Sequence, residues 1–161
     1  MKFWFKKIVE KEVEQKKACP LVLFLDFDGV LHPFQRGTFE FVKNFQSILD
    51  IFPEAKVVIS SSWRLTYNIE ELREYFEEPY QHRVIGVTPF SENGNRDAEI
   101  LMYLLENPSN LFLAIDDEDK LFKTKPSWLH LVPSGEGLNT HQTELLLERL
   151  KKETCKIKSS V

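Results

Sequence analysis

Apolar and polar positions fall in blocks along this chain, and the blocks alternate between strand and helix patterns. Residues 21–31 read LVLFLDFDGVL, with five apolar residues followed by Asp26, one spacer, Asp28 and Gly29. A short unbroken apolar run that ends on turn residues fits a strand buried on both faces. Leu21–Leu25 is the first predicted strand. Phe39–Asp50 reads as a helix, because Phe41, Val42, Phe45, Ile48 and Leu49 fall on one face. Lys56–Ile59 is a second buried strand, ending in Ser60, Ser61 and Ser62. Asn68–Phe76 is a helix with Asn68 and Glu71 at capping-box spacing. Arg83–Val87 is a strand and Asp97–Glu106 a helix that starts near Asn95 or Arg96. Leu111–Ile115 is a strand ending in Asp116 and Asp117, and Trp128–Val132 is a short fifth strand. Thr140–Lys152 is a closing helix with Thr140 as its cap. Such alternation calls for an α/β fold, a parallel sheet of about five strands with helices on both faces.

The two ends depart from this pattern. Residues 1–17 form a predicted amphipathic helix, with Phe3, Trp4, Phe5, Ile8, Val9 and Val13 as its apolar stripe. A basic amphipathic helix can dock on a membrane surface or a partner. It can also pack on its own domain, the commoner use of such a stripe and the reading preferred here. Residues 18–152 are the α/β domain, and residues 153–161 a basic polar tail, read as frayed.

Charge sharpens this division. The chain of 161 residues carries a net charge of −4. Residues 1–17 hold six Lys against three Glu, and residues 151–161 four Lys against Glu153. The body between them holds eleven Lys and Arg against twenty-one Asp and Glu. So acidic a body argues against tight non-specific nucleic-acid binding, which depends on phosphate neutralisation. It suits a cation site. The two cysteines, Cys19 and Cys155, have neither metal-ligand spacing nor a disulfide framework. With no secretory pattern and no apolar run of membrane-spanning length, the expected location is cytoplasmic.

The candidate chemistry lies where strands end. In a parallel sheet the carboxyl ends of the strands share one edge, and ligands bind there. The first strand delivers Asp26 and Asp28, the second a serine triplet followed by Trp63 and Arg64, the fourth Asp116 and Asp117. Carboxylates from two strand ends suit an octahedral oxygen-liganded cation such as Mg²⁺. A serine hydroxyl and backbone N–H groups at a strand–helix turn suit phosphate oxygens. An Arg near a helix start, such as Arg96, can neutralise the same phosphate.

These residues resemble the haloacid dehalogenase-like (HAD) superfamily. DFDGVL is similar to its first motif, VVIS ending at Ser60 to its second, and AIDD ending at Asp116 and Asp117 to its fourth. The strings DFDGVLHP, SSSWR and GLNT are similar to small HAD domains grouped with bacterial Swiss Army Knife RNA-repair proteins. The resemblance spans about Leu21 to Leu150. It implies a Rossmannoid three-layer sandwich and a Mg²⁺-dependent phosphatase, with a phosphorylated substrate, and a nucleotide or nucleic-acid end as the preferred one. Asp26 would be the nucleophile and Asp28 the general acid and base. The metal ligands would be Asp26, Asp28 through its carbonyl and Asp116, with Asp117 or waters completing the shell. Ser60 and the backbone N–H that follows it, that of Ser61, would hold the transferring phosphoryl group.

One departure stands out. The family's third motif usually supplies Lys, and no Lys lies between Lys56 and Lys120. Arg96 stands about where that Lys belongs, with Arg64 as a competing phosphate ligand. No cap domain is expected, since Gly29–Thr38 and Thr88–Asn95 hold ten and eight residues. His32 reads as a loop residue near the entrance, Trp63 as a core or loop anchor, and Ser61 or Ser62 as a helix cap. Two other functions stay open: a phosphate-binding or protein-interaction module with little turnover, and a phosphoprotein phosphatase recruited through the N-terminal helix.

Overall fold

The computed structural model describes residues 21–159, with side chains described for 21–156. The helix expected over residues 1–17 lies outside the described residues.

Five short parallel strands form one sheet: β1 (Val22–Leu25), β2 (Lys56–Ile59), β3 (Val84–Val87), β4 (Phe112–Asp116) and β5 (Leu129–Leu131). Their order across the sheet is β3-β2-β1-β4-β5, so β1 is central. The chain first builds outward from β1 through β2 to β3, then returns to β1's other side for β4 and β5. Such a reversal leaves a crevice at the carboxyl ends of β1 and β4.

Strand residues alternate between the two faces of the sheet. Leu23, Leu25, Val57, Ile59, Leu113 and Ile115 belong to the larger core. It is shared with α1 (Val42–Ile51), α2 (Ile69–Arg73) and α5 (Thr140–Ser159) through Phe45, Leu72 and Leu146. Val22, Phe24, Val58 and Ala114 face the other way and pack on Ile100 of α4 (Arg96–Glu106) and on Phe122. This is the expected three-layer α/β sandwich, with unequal outer layers. No cap domain is inserted among the described residues, and no helix among them is long and apolar enough to cross a membrane.

Three local features differ from the sequence reading. The helix expected to run from Asn68 to Phe76 stops at Arg73, and a further short helix, α3 (Glu78–Gln81), follows with Pro79 in its first turn. Asn68 and Glu71 do form the capping box. The cap of α5 is Asn139, whose side chain accepts from the Gln142 N–H at 3.0 Å, rather than Thr140. That helix also continues to Ser159, so most of the expected polar tail is helical. A Glu153–Lys156 ion pair at 3.0 Å and the Thr154 hydroxyl bonded back to Leu150 O support the extra turns.

Candidate active site

The register of β1 against β4 builds the site. Leu25 pairs with Ile115, so the next residues, Asp26 and Asp116, emerge side by side. Leu25 also pairs with Ile59, which puts Ser60 on the other side of Asp26. The spacer Phe27 turns inward, fully buried among Phe39, Trp63, Tyr75 and Phe76. Asp26 and Asp28 are thereby both left at the cleft. Gly29 then takes φ +68, a left-handed conformation open to glycine at little cost.

A cleft of about 380 Å³ opens here, lined by Asp26, Asp28, Arg96 and Asp117 on its polar side and by Phe34 and Leu121 at its apolar margin. Carboxylate oxygens of Asp26, Asp116 and Asp117 lie within 4.8 Å of one another. The Arg96 guanidinium sits between the first two, with Nη1 2.8 Å from Asp116 Oδ2 and 3.3 Å from Asp26 Oδ1. Burial acts to lower the Arg96 pKa, but Asp26 and Asp116 outweigh it and hold the group above its ordinary value. One guanidinium does not balance three acids. Burial, then repulsion from Asp26, pushes Asp116 up to about 8 against the opposing effect of Arg96. Burial likewise raises Asp117, opposed by a hydrogen bond from Ser134. A closely spaced, under-compensated set of oxygen donors is what a hard divalent cation requires, so the residues present fit Mg²⁺.

Asp28 is held on both carboxylate oxygens. Oδ2 accepts from the Trp63 indole N–H at 2.9 Å, and Oδ1 lies 2.9 Å from His32 Nε2. Neither His32 nor Trp63 is recognised from the sequence as a partner of Asp28, although the spacing from Asp28 to His32 is that of one turn.

Arg64 is not at the cleft. Its five N–H groups meet the carbonyls of Ser60, Ser61, Thr88 and Pro89 and the Glu99 carboxylate, leaving no donor for a phosphate. It ties the ends of β2 and β3 together, and the expectation that it competes with Arg96 for phosphate does not hold. Ser61 is fully buried, its hydroxyl accepts from Trp63 N–H as the cap of the turn Ser62–Leu65, and the backbone N–H expected to meet phosphate donates instead to Leu25 O at 3.3 Å. Ser62, which the sequence reading treats only as a possible cap, lines the cleft. Ser60 is buried at the end of β2 with a hydroxyl that has no hydrogen-bond partner. Glu99, unnoticed in the sequence, is 2.6 Å from Arg64 and 4.0 Å from Arg96 and steadies both.

Residues 22–143 match the family model described as the HAD domain in Swiss Army Knife RNA repair proteins. The chain belongs to that family. No curated protein and no solved structure gives a match. The HAD family brings this α/β domain into the HAD-type hydrolases, and the first, second and fourth motifs read from the sequence all lie within the matched span. In this HAD domain Arg96 stands between the acids of the first and fourth motifs.

Proposed function

We propose that this HAD domain is a Mg²⁺-dependent phosphatase that hydrolyses phosphomonoesters through an aspartyl-phosphate on Asp26. The observation that carries this reading is the meeting of the Asp26 and Asp116 carboxylates at adjacent strand ends, with Asp28 on the wall of the same cleft. Asp26, Asp116, Asp117 and the Asp28 backbone carbonyl would hold the metal. When bound, Mg²⁺ supplies the positive charge that lets an anionic nucleophile approach an anionic phosphate.

In the first step an Asp26 carboxylate oxygen bonds to phosphorus as the ester P–O bond breaks. Asp28 gives its proton to the departing alkoxide. In the second step Asp28, now a carboxylate, takes a proton from water while the water oxygen bonds to phosphorus. The bond from phosphorus to Asp26 breaks, inorganic phosphate leaves, and both aspartates return to their starting states. Arg96 fixes the Asp26 carboxylate. Ser62 on the cleft wall and the unpartnered Ser60 hydroxyl are the phosphate contacts of this reading, and Ser61 and Arg64 have no part in it.

The substrate of this reading is a nucleotide or a nucleic-acid end. The family description names RNA repair proteins. Without a cap domain the cleft is open to large substrates. Phe34, 55% exposed, lines the cleft and holds φ +51, an uncommon conformation for a bulky residue. An exposed aromatic face beside a phosphate site suits stacking by a base.

The test is phosphate release from aryl phosphates, nucleotides, sugar phosphates, phosphopeptides and 3′- or 5′-phosphorylated oligonucleotides. Each is run with Mg²⁺, with chelator, and with Asp26→Asn. Metal-dependent release lost in Asp26→Asn is the expected result, with nucleotides or oligonucleotide ends preferred. Bound Mg²⁺ without release from any substrate would instead indicate a binding module.

A further inference from the structure

His32 is a polar side chain in an apolar nest. It is fully buried, edge-on to the Phe39 ring at 4.8 Å and tilted against Trp63 at 6.2 Å. Its Nδ1 has no hydrogen-bond partner. A leucine or phenylalanine there would leave no polar atom orphaned, and burying an unpartnered polar atom costs free energy. What the imidazole contributes in return is its contact with Asp28.

The tautomer follows from the same geometry. A buried N–H without an acceptor is worse than a bare lone pair, so the proton belongs on Nε2, which donates to Asp28 Oδ1 at 2.9 Å. Trp63 Nε1–H reaches Oδ2 from another segment, also at 2.9 Å. Two rigid rings therefore grip one carboxylate from two sides. The backbone brings His32 there: the left-handed turn at Gly29 folds the loop back so that Asp28 and His32 form a bridge. The Asp28 side chain stays 24% exposed and faces the cleft, whereas His32 is sealed from it.

We propose that His32 is a positioning residue which, with Trp63, fixes the Asp28 carboxylate for proton transfer. The role rests on the phosphatase reading above. A general acid must stand within hydrogen-bond reach of the leaving oxygen, and small displacements there are expensive in rate. An exposed aspartate with free rotamers would spend much of its time elsewhere.

The experiment compares wild type, His32→Leu and His32→Gln on p-nitrophenyl phosphate and on a simple alkyl phosphate, with Mg²⁺ present. Nitrophenolate leaves without a proton, whereas an alkoxide needs one from Asp28. In His32→Leu, kcat on the alkyl ester is expected to fall by roughly 10- to 100-fold, within the range of general acid–base catalysis. The pre-steady-state burst of nitrophenolate is expected to change by less than about threefold, because acid catalysis contributes little to that step. KM should hold, and the melting temperature should hold or rise as the orphaned nitrogen is removed. His32→Gln, whose amide N–H can replace the Nε2 donor, should recover most of the loss. A fall of equal size on both esters and in the burst, accompanied by a lower melting temperature, would make His32 merely structural and overturn the proposal. So would full alkyl-ester activity in His32→Leu. A wild-type chain inert toward both esters would remove the phosphatase reading itself, and the positioning role with it.

Discussion

The Asp117 carboxylate rests against the α-carbon of Gly29: a β-carbon on that residue would lie 2.1 Å from Asp117 Oδ2. Gly29 is therefore required twice, once for its φ of +68 and once for the space Asp117 fills. Gly29→Ala must displace the Asp117 carboxylate from its present place. The expected outcome is a loss of Mg²⁺ affinity and of turnover, with a stability cost of about 1–2 kcal/mol from the left-handed backbone. Isothermal titration with Mg²⁺ and urea unfolding measure the two effects separately.

Arg96 carries the only guanidinium found between Asp26 and Asp116 among the described residues. Arg96→Met leaves two buried carboxylates facing each other, and removing one partner of a buried ion pair costs about 3–5 kcal/mol. Part of that loss should return when Mg²⁺ is added, since a cation among the acids relieves the same repulsion. Arg96→Lys keeps the charge but not the planar fork, and should fall between wild type and Arg96→Met. Urea midpoints with and without Mg²⁺ rank the three proteins; an Arg96→Met chain as stable as wild type would contradict the argument.

His130 sits on β5 with Nε2 buried and unpartnered. Burial, helped by the nearby Arg149, depresses its pKa from 6.5 to about 4. Below pH 6.5 the unfolded chain takes up a proton that the folded chain refuses, so stability falls with acidification until the folded group also titrates near 4. The full effect is roughly 3 kcal/mol. Melting curves between pH 7 and pH 4 should show this loss in the wild type and a flatter profile in His130→Leu.

Phe34→Ala probes the substrate side. A stacked base contributes about 1–3 kcal/mol. KM for a nucleoside monophosphate should therefore rise by roughly 5- to 150-fold. Turnover of glycerol phosphate, which has no ring, should stay near wild type. Equal effects on both substrates would assign Phe34 to loop structure alone.

The central sheet was legible because β1, β2 and β4 are apolar runs closed by chemistry-bearing residues at the same end. Asn68 and Glu71 marked their cap by spacing alone. The fate of Arg64 was not legible, because an arginine after a strand looks the same whether it faces the cleft or folds back on carbonyls. Glu99, on a distant helix, decides the matter. His32 stayed hidden for a related reason: its importance lies in a tertiary nest of aromatic rings that no local pattern announces. The last turns of α5 resemble a tail in sequence because they are polar, yet Lys and Glu are good helix formers and need no core face to continue a helix already started.

The central position of β1 has a further consequence. The backbone that carries Asp26 is hydrogen-bonded to β2 on one side and β4 on the other, and the Asp26 amide itself donates to Ile115 O at 3.0 Å. Fraying cannot free such a segment; only a sheet-wide opening can. The Asp26 amide should therefore exchange among the slowest of the described residues, and on heating the chain should hold Asp26 in place until the whole domain melts.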